Sequence, residues 1–342
     1  MSETLGVVVI GRNEGERLRR CLESVKACGL HAVYVDSGSS DDSVQIAQSI
    51  DFTVVNLDLA IPFTAARARS EGYDKLLQEY PNLKYVMFVD GDCEIELPWP
   101  RIAETFLQEH EEVGIVAGRR RERFPEASVY NRLCDFEWDA PTGQVAAIGG
   151  DSIVRVSAYQ AAGGFNPTVP AGEEPELCSR IRAAGWKVWR INTEMTRHDA
   201  AMSHFGQWWK RLTRTGYGGF DVERRFKTGV FQRILYSAFV WGILIPLLAV
   251  IAAVTAYRYF GVIGAVAVVA GVGAVWLLQI LRITIRTHRL GRPWRQSLEY
   301  GWFTMLAKFP IAMGSLKSLW ACLTRQGAQI IEYKSAVKSP SA

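Results

Sequence analysis

The 342-residue sequence has no internal repeat and no low-complexity tract, so repeat architectures are out. Its six cysteines, Cys21, Cys28, Cys93, Cys134, Cys178 and Cys322, form no C-x-x-C pair and show no zinc-type spacing. Reduced, structural thiols are the expectation. The opening Met1-Ser2-Glu3-Thr4 lacks the basic region and apolar core of a signal peptide, so the N-terminal region is expected to stay cytoplasmic. No nucleic-acid motif accompanies the modest net charge of +4, which argues against a nucleic-acid partner. No glycine-rich triphosphate loop lies near the first apolar run, which disfavours nucleotidyl transfer.

Charge is missing altogether from two long stretches, Ile234 to Tyr257 and Tyr259 to Leu281. A helix crossing a bilayer needs about 20 apolar residues, and each stretch is longer than that. Only Arg258 separates them, which predicts two spans joined by a very short far-side turn. Arg224, Arg225, Lys227 and Arg233 precede the pair; Arg282, Arg286, Arg289, Arg292 and Arg295 follow it. By the positive-inside rule both flanks are cytoplasmic, and these cations suit anionic membrane lipids. Further on, Trp302, Met305, Leu306, Phe309, Met313, Leu316, Trp320 and Leu323 recur at helical spacing, with Lys308 and Lys317 between them. That pattern predicts a helix in the membrane interface, divided at Pro310, with an ordinary packed amphipathic helix as the alternative. The tail from Lys334 to Ala342 is expected to fray.

The N-terminal region alternates apolar strands with helical segments. Leu5 to Ile10 is a strand ending at Gly11-Arg12-Asn13-Glu14, and Glu16 to Ala27 has helical periodicity. Ala32 to Val35 is a second strand, ending in the polar turn that begins at Asp36. A third, Phe52 to Asn56, precedes a helix that carries Arg67 and Arg69, either of which can reach toward a diphosphate. The next run, Tyr85 to Val89, delivers Asp90-Gly91-Asp92. Continuous apolar runs are the mark of buried parallel strands, whose ends collect ligands in open α/β sheets. Two carboxylates so close repel unless a cation lies between them, and Gly91 leaves room for a ligand. A solvated acidic turn is the competing explanation for so short a motif.

Taken together, these segments resemble a family 2 glycosyltransferase of the GT-A fold with a membrane-anchored C-terminus, over most of residues 5 to 210. Val7 to Glu14 is similar to the family's first strand and nucleotide loop. Val35 to Asp41 is similar to the second, whose first acid, here Asp36, contacts the base. Ala68-Arg69-Ser70-Glu71-Gly72 resembles the helix whose arginine lies near the nucleotide, and Asp90-Gly91-Asp92 matches the D-x-D element. Gly163-Gly164-Phe165, Gly172 to Leu177, Arg180 and Gly185-Trp186 resemble the acceptor-side block with its catalytic acid.

The resemblance implies a nucleotide-diphosphate sugar donor bound by Arg12, Asn13, Glu14, Asp36, Arg69, Asp90, Gly91 and Asp92, with inversion at the transferred carbon. Asp92 and Asp90 hold Mg²⁺ or Mn²⁺, and His198 is a further candidate ligand with His204 its competitor. Glu174 is the expected base. The family usually has aspartate after glutamate there, whereas this chain has Glu173-Glu174-Pro175-Glu176, so Glu173 and Glu176 are alternatives. The same acids also suit a helix start electrostatically. Gln207 to Arg211 resembles the glutamine, arginine and tryptophan cluster of processive relatives in a different order. Trp208 would stack on an acceptor sugar and Arg211 meet a pyrophosphate, or both would anchor a membrane interface. The run Arg119-Arg120-Arg121-Glu122-Arg123 fits the diphosphate of a lipid-linked acceptor or a solvated basic loop.

The expected organisation is a catalytic domain over 1–230, two transmembrane helices over 231–282, and a cytoplasmic basic segment, interfacial helix and tail over 283–342. The expected activity is metal-dependent, single-addition transfer of a sugar to a membrane-associated, polyprenyl-diphosphate-linked acceptor at the cytoplasmic face of the inner membrane. A polyprenyl-phosphate sugar synthase and a catalytically silent, nucleotide-binding scaffold are the alternatives.

Overall fold

The computed structural model describes residues 3–324, so the expected fraying from Lys334 onward lies outside the described residues. The chain divides into two compact units, the first running to His204 and the second beginning at Phe205.

The first unit opens with β1 (Leu5–Gly11), α1 (Glu16–Ala27), β2 (His31–Asp36), α2 (Ser43–Ser49), β3 (Thr53–Asn56), α3 (Ala65–Glu79) and β4 (Tyr85–Asp90). It continues with β5 (Cys93–Ile95), α4 (Trp99–Glu109), β6 (Val113–Glu122), α5 (Val129–Trp138), β7 (Gly143–Gln144), β8 (Ser152–Arg155), α6 (Val156–Ala161), α7 (Glu173–Ala183) and β9 (Lys187–His198). The sheet order is β3-β2-β1-β4-β8-β6-β9-β5, with β7 also paired to β9. The first four strands are parallel, β8 runs antiparallel between β4 and β6, and β9 is again parallel to β6. Leu5 to Ile10 and Tyr85 to Val89 are buried at every position, as expected of central strands covered on both faces. Each fully buried Val, Leu or Ile among them contributes about 1.5–3 kcal/mol. All six cysteines are free thiols.

Strand register places the acids. Gly11 at the end of β1 lies opposite Asp36 of β2, while Ile10 lies opposite Asp90 of β4. On the far side of the sheet, His198 closes β9 between two partners, Cys93 of β5 and Glu122 of β6. Thus the D-x-D segment, the second polar turn and His198 share one edge because their strands end there.

The second unit comprises α8 (Phe205–Phe226), α9 (Gln232–Phe239), a single π turn (Val240–Leu244), α10 (Ile245–Arg289), α11 (Trp294–Leu306) and α12 (Lys308–Leu323). Its helical stretch Gln232–Arg289 is long and apolar enough to cross a membrane, and it presents Leu247, Leu248, Ile251, Val254, Ile263 and Val266 outward. The break falls at Gly261, with φ 63° and ψ −156°, and not at Arg258. Arginine is a good helix former, whereas glycine takes positive φ without a Cβ penalty. The rings of Trp241 and Trp276 lie 6.0 Å apart. In one straight helix those residues would be about 50 Å apart, so the chain folds back at Gly261 into two antiparallel arms.

The expected interfacial helix is two helices that meet at Ala307. Pro310 does not divide them; it sits in the first turn of α12, where its missing N–H breaks no intrahelical bond. One face of α12 is buried against α8. A Cβ on Gly216 would stand 2.0 Å from the Ile311 carbonyl oxygen, and one on Gly314 would stand 2.1 Å from that of Thr213. Small residues therefore let the two backbones touch, as at close helix crossings in membranes. Only the opposite face, with Leu316, Trp320 and Leu323, remains exposed.

Candidate active site

Arg69 is the hub. Its guanidinium is 2% exposed and comes from α3, whose N-cap Thr64 accepts a hydrogen bond from the Arg67 amide. Nη2 donates to Asp90 Oδ1 at 2.8 Å, and Nη1 donates to Glu173 Oε1 at 2.6 Å. Glu174 Oε1 lies 3.3 Å from the same Nη2. A buried arginine stays charged when carboxylates surround it, and its planar fork serves two of them at once. Arg67, the other arginine of that helix, instead binds the Asp58 and Ile61 carbonyls and Glu71.

Asp90 is held on a second side by Arg120, whose Nη2 lies 3.2 Å from Oδ2. Burial opposes ionisation of Asp90, but Arg69 and Arg120 outweigh it and hold the carboxyl below its ordinary range. Glu174 goes the other way. Burial, and then repulsion from Glu173, push its pKa up to about 7 despite the Arg69 cation. Glu176 is committed elsewhere, accepting from Arg180 at 2.7 and 2.6 Å. Among the three acids of this helix start, Glu174 is the most exposed, at one-fifth.

Asp92 is 4% exposed, and its Oδ2 lies 3.1 Å from His198 Nε2. Burial disfavours the imidazolium, yet the Asp92 carboxylate more than compensates and the His198 pKa is raised. The other ring nitrogen, Nδ1, stands 3.7 Å from Glu122 Oε2 without a hydrogen bond. Trp138 meets the ring edge-on at a centroid distance of 4.7 Å. Ligand atoms of Asp92, Cys93 and His198 lie within 4.8 Å of one another. Adjacent ligands of an octahedral divalent ion at ~2.1 Å are about 3 Å apart, so the Asp92 and His198 pair fits such an ion without rearrangement. A mixed oxygen and imidazole set favours Mn²⁺ over Mg²⁺. His204, the competing histidine, contributes to no such cluster among the described residues.

The loops after β1 and β2 are organised from within. Asp36 Oδ2 accepts from the Gly38 and Ser39 amides at 2.9 and 2.8 Å, and Oδ1 accepts from Tyr34 at 2.9 Å. Asn13, at φ 56°, accepts from the Ser40 amide at 2.7 Å, and Arg12 lies over the Phe63 ring at 4.4 Å. Glu14 pairs with Arg17 at 2.9 Å. Gly91 has a packing role as well: its amide donates to the Ile10 carbonyl at 2.8 Å, and a Cβ would approach that oxygen to 3.1 Å.

Two expectations are corrected. The arginine run is neither a loop nor solvated: it is the end of β6, and acids match it side chain by side chain. Arg119 meets Asp139, Arg120 meets Asp151 and Asp90, Arg121 meets Asp135, and Arg123 meets Glu94. Trp208 does not offer a stacking face, because it is 2% exposed and packs against Phe205 and Phe303. Arg211 is half-buried on the same helix. Asp151, 1% exposed, was not singled out from sequence; it accepts from the Asp90 amide, from Arg120 and from Thr196. Its only local signal is the preceding Gly149-Gly150 pair, which marks a turn.

Residues 6–148 match the sequence model of the family described as Glycosyl transferase family 2. Within that stretch the chain is similar to the glycosyl transferase family 2 domain. The match makes its class that of a glycosyltransferase. The fold agrees. A mannosyltransferase from Pyrobaculum calidifontis, PcManGT, solved with GDP-Man and Mn²⁺, superposes with a TM-score of 0.58 at 18% identity, over 92% of this chain and 87% of that one. S. aureus TarS 1-349, solved with UDP-GlcNAc, matches at a TM-score of 0.49 and 13% identity, over 92% of this chain and 91% of that one. The PcManGT superposition shows that the sheet of the first unit is of the GT-A type.

Proposed function

We propose that the chain is an inverting, metal-dependent glycosyltransferase that moves a sugar from a nucleotide-diphosphate donor to a membrane-associated acceptor. The observation that carries this reading is the Arg69 cluster, in which the D-x-D acid Asp90 and the near-neutral Glu174 share one guanidinium nitrogen. Transfer with inversion needs a stabilised leaving diphosphate on one face of the sugar and a base on the other. The cluster joins residues suited to both.

In this reading Glu174 takes the proton of the acceptor hydroxyl as its oxygen bonds to the anomeric carbon. The bond from that carbon to the diphosphate breaks, and the nucleotide diphosphate leaves with the electron pair. A carboxylate with a pKa of about 7 is well placed for this role, since efficient bases titrate near the working pH. Arg69 orients it. Asp92 and His198 would hold Mg²⁺ or Mn²⁺, with Asp90 beside them, and the ion would neutralise the charge that develops on the diphosphate. The PcManGT neighbour, solved with GDP-Man and Mn²⁺, supports a donor and an ion of these classes. Arg12, Asn13 and Asp36 would line the nucleotide.

The two arms around Gly261 would both cross the bilayer, with the flanking arginines and the catalytic unit on the cytoplasmic side of the inner membrane. A lipid-linked, polyprenyl-diphosphate acceptor suits that placement. The decisive experiment is a screen of nucleotide sugars with Mn²⁺ or Mg²⁺, scored by sugar transfer to lipid-linked acceptors in wild type and Glu174→Gln. Metal-dependent transfer that is lost in the variant while donor binding persists is the expected result. Donor binding without turnover in the wild type would mark a silent scaffold instead.

A further inference from the structure

Of the arginines on the β6 and β9 strands themselves, all but one are matched to acids. Arg119, Arg120 and Arg121 have carboxylate partners, as does Arg197, which meets Glu96 at 2.5 Å. Arg190 has none among the described residues. It sits on β9 opposite Ala117 of β6, three residues before Arg120, and opposite Gly143 of β7. Its Nε is buried without an acceptor, and its Nη1 reaches only the Gly118 carbonyl, at 3.4 Å. Half-burial of a guanidinium without a counter-charge is unfavourable, and the neighbouring Arg120 cation adds to the cost. Burial first, and Arg120 second, push the Arg190 pKa down.

An anion arriving beside Arg190 would relieve both penalties. The topology says which half of the site such an anion belongs to. Strands β3, β2 and β1, with the Arg12 and Asp36 loops, lie on one side of β4; β6 and β9 lie on the other. The unmatched cation is therefore on the side away from the nucleotide loops. A planar guanidinium with an unpaired edge is best suited to the paired oxygens of a phosphoryl group.

We propose that Arg190 forms a subsite for a phosphoryl group carried by the acceptor. The proposal rests on the transferase reading only in assigning the anion to the acceptor and not to the donor. Its source is either a lipid phosphate or a soluble phosphorylated molecule. The test uses the full-length protein in detergent micelles, with affinities measured for farnesyl phosphate, farnesol, inorganic phosphate, and UDP or GDP with Mn²⁺. Arg190→Ala should weaken farnesyl phosphate binding tenfold or more, and Arg190→Lys less, with farnesol and nucleotide affinities unchanged. Arg190→Met keeps the buried stem and replaces the alanine variant if that one fails to fold.

Farnesyl phosphate binding much more tightly than inorganic phosphate would identify a lipid source. Equal affinities, both dependent on Arg190, would identify a soluble one. The proposal is overturned if wild type binds neither phosphate, if farnesyl phosphate affinity in the variants stays within twofold of wild type, or if nucleotide affinity falls in parallel. Absence of nucleotide binding in the wild type would instead sink the transferase reading, since the phosphate comparison decides Arg190 separately.

Discussion

Arg69 and Glu174, 105 positions apart in sequence, meet at 3.3 Å, and the same arginine nitrogen holds Asp90 at 2.8 Å. A single side chain from α3 thus couples the end of β4 to the start of α7. Removing it would leave three buried or half-buried carboxylates facing one another. Arg69→Met should destabilise the first unit by about 3–5 kcal/mol, the usual cost of orphaning buried charges. Chemical denaturation checks this, and a loss below about 1 kcal/mol would show that the acids find other partners.

Glu174→Gln removes the proposed proton acceptor while keeping the shape of the side chain. Transfer should fall by about 10²–10⁴-fold, with nucleotide affinity unchanged. Glu176→Gln should cost stability through its lost Arg180 pairing but leave the catalytic rate per folded molecule intact. Parallel kinetics and melting curves for the two variants separate these roles; equal rate losses would contradict the assignment of Glu174.

The pH dependence has opposite signs for rate and stability. As a base, Glu174 works ionised, so kcat/KM should rise with pH through about 7 and then level off. Because folding raises this pKa above its ordinary value of about 4.5, the stability it confers is full below that value and declines as pH climbs toward 7. In Glu174→Gln both trends should vanish. A wild-type rate that is flat between pH 6 and 8 would count against this base.

Asp92 and His198 are adjacent ligands for one ion in this reading. His198→Ala should weaken Mn²⁺ binding by about 10–100-fold, the range typical for loss of groups supporting a metal site. Asp92→Asn should weaken it further, and a chelator should abolish turnover reversibly. Manganese titration by calorimetry or electron paramagnetic resonance provides the readout, and unchanged affinity in both variants would place the ion elsewhere.

The α8 and α12 crossing gives a prediction independent of chemistry. Gly216→Val adds atoms where the Ile311 carbonyl already stands 2.0 Å from an added Cβ. Overpacking of this kind costs about 1–3 kcal/mol. Thermal melting of the full-length protein in detergent should show it, while nucleotide binding by the first unit should persist.

Which parts were legible in sequence follows from how local their causes are. The buried strands β1 and β4 announce themselves as apolar runs, and the acids that follow them sit where such strands end. The arginine run misled for the opposite reason. Its partners Glu94, Asp135, Asp139 and Asp151 are spread over almost sixty positions, so local composition showed only the cations. Trp208 was misread similarly: its neighbours beside a charge-free stretch resembled a membrane belt, yet Phe303, far along the chain, covers its ring. Gly261 outcompeted Arg258 as the turn because backbone conformation, and not charge, decides where a helix can reverse.

One feature of the sheet bears on how the site could ever be altered. Ile10 faces Asp90, and Gly11 faces Asp36, across two ladders that share β1. Side chains alternate along a strand, so a slip of one residue in either ladder would turn one of these acids over relative to the other. The placement of Asp90 relative to Asp36 is therefore inherited from β1, which is buried from Leu5 to Ile10. Evolution can retune the loops freely, but it can move those two acids relative to each other only by rebuilding the core.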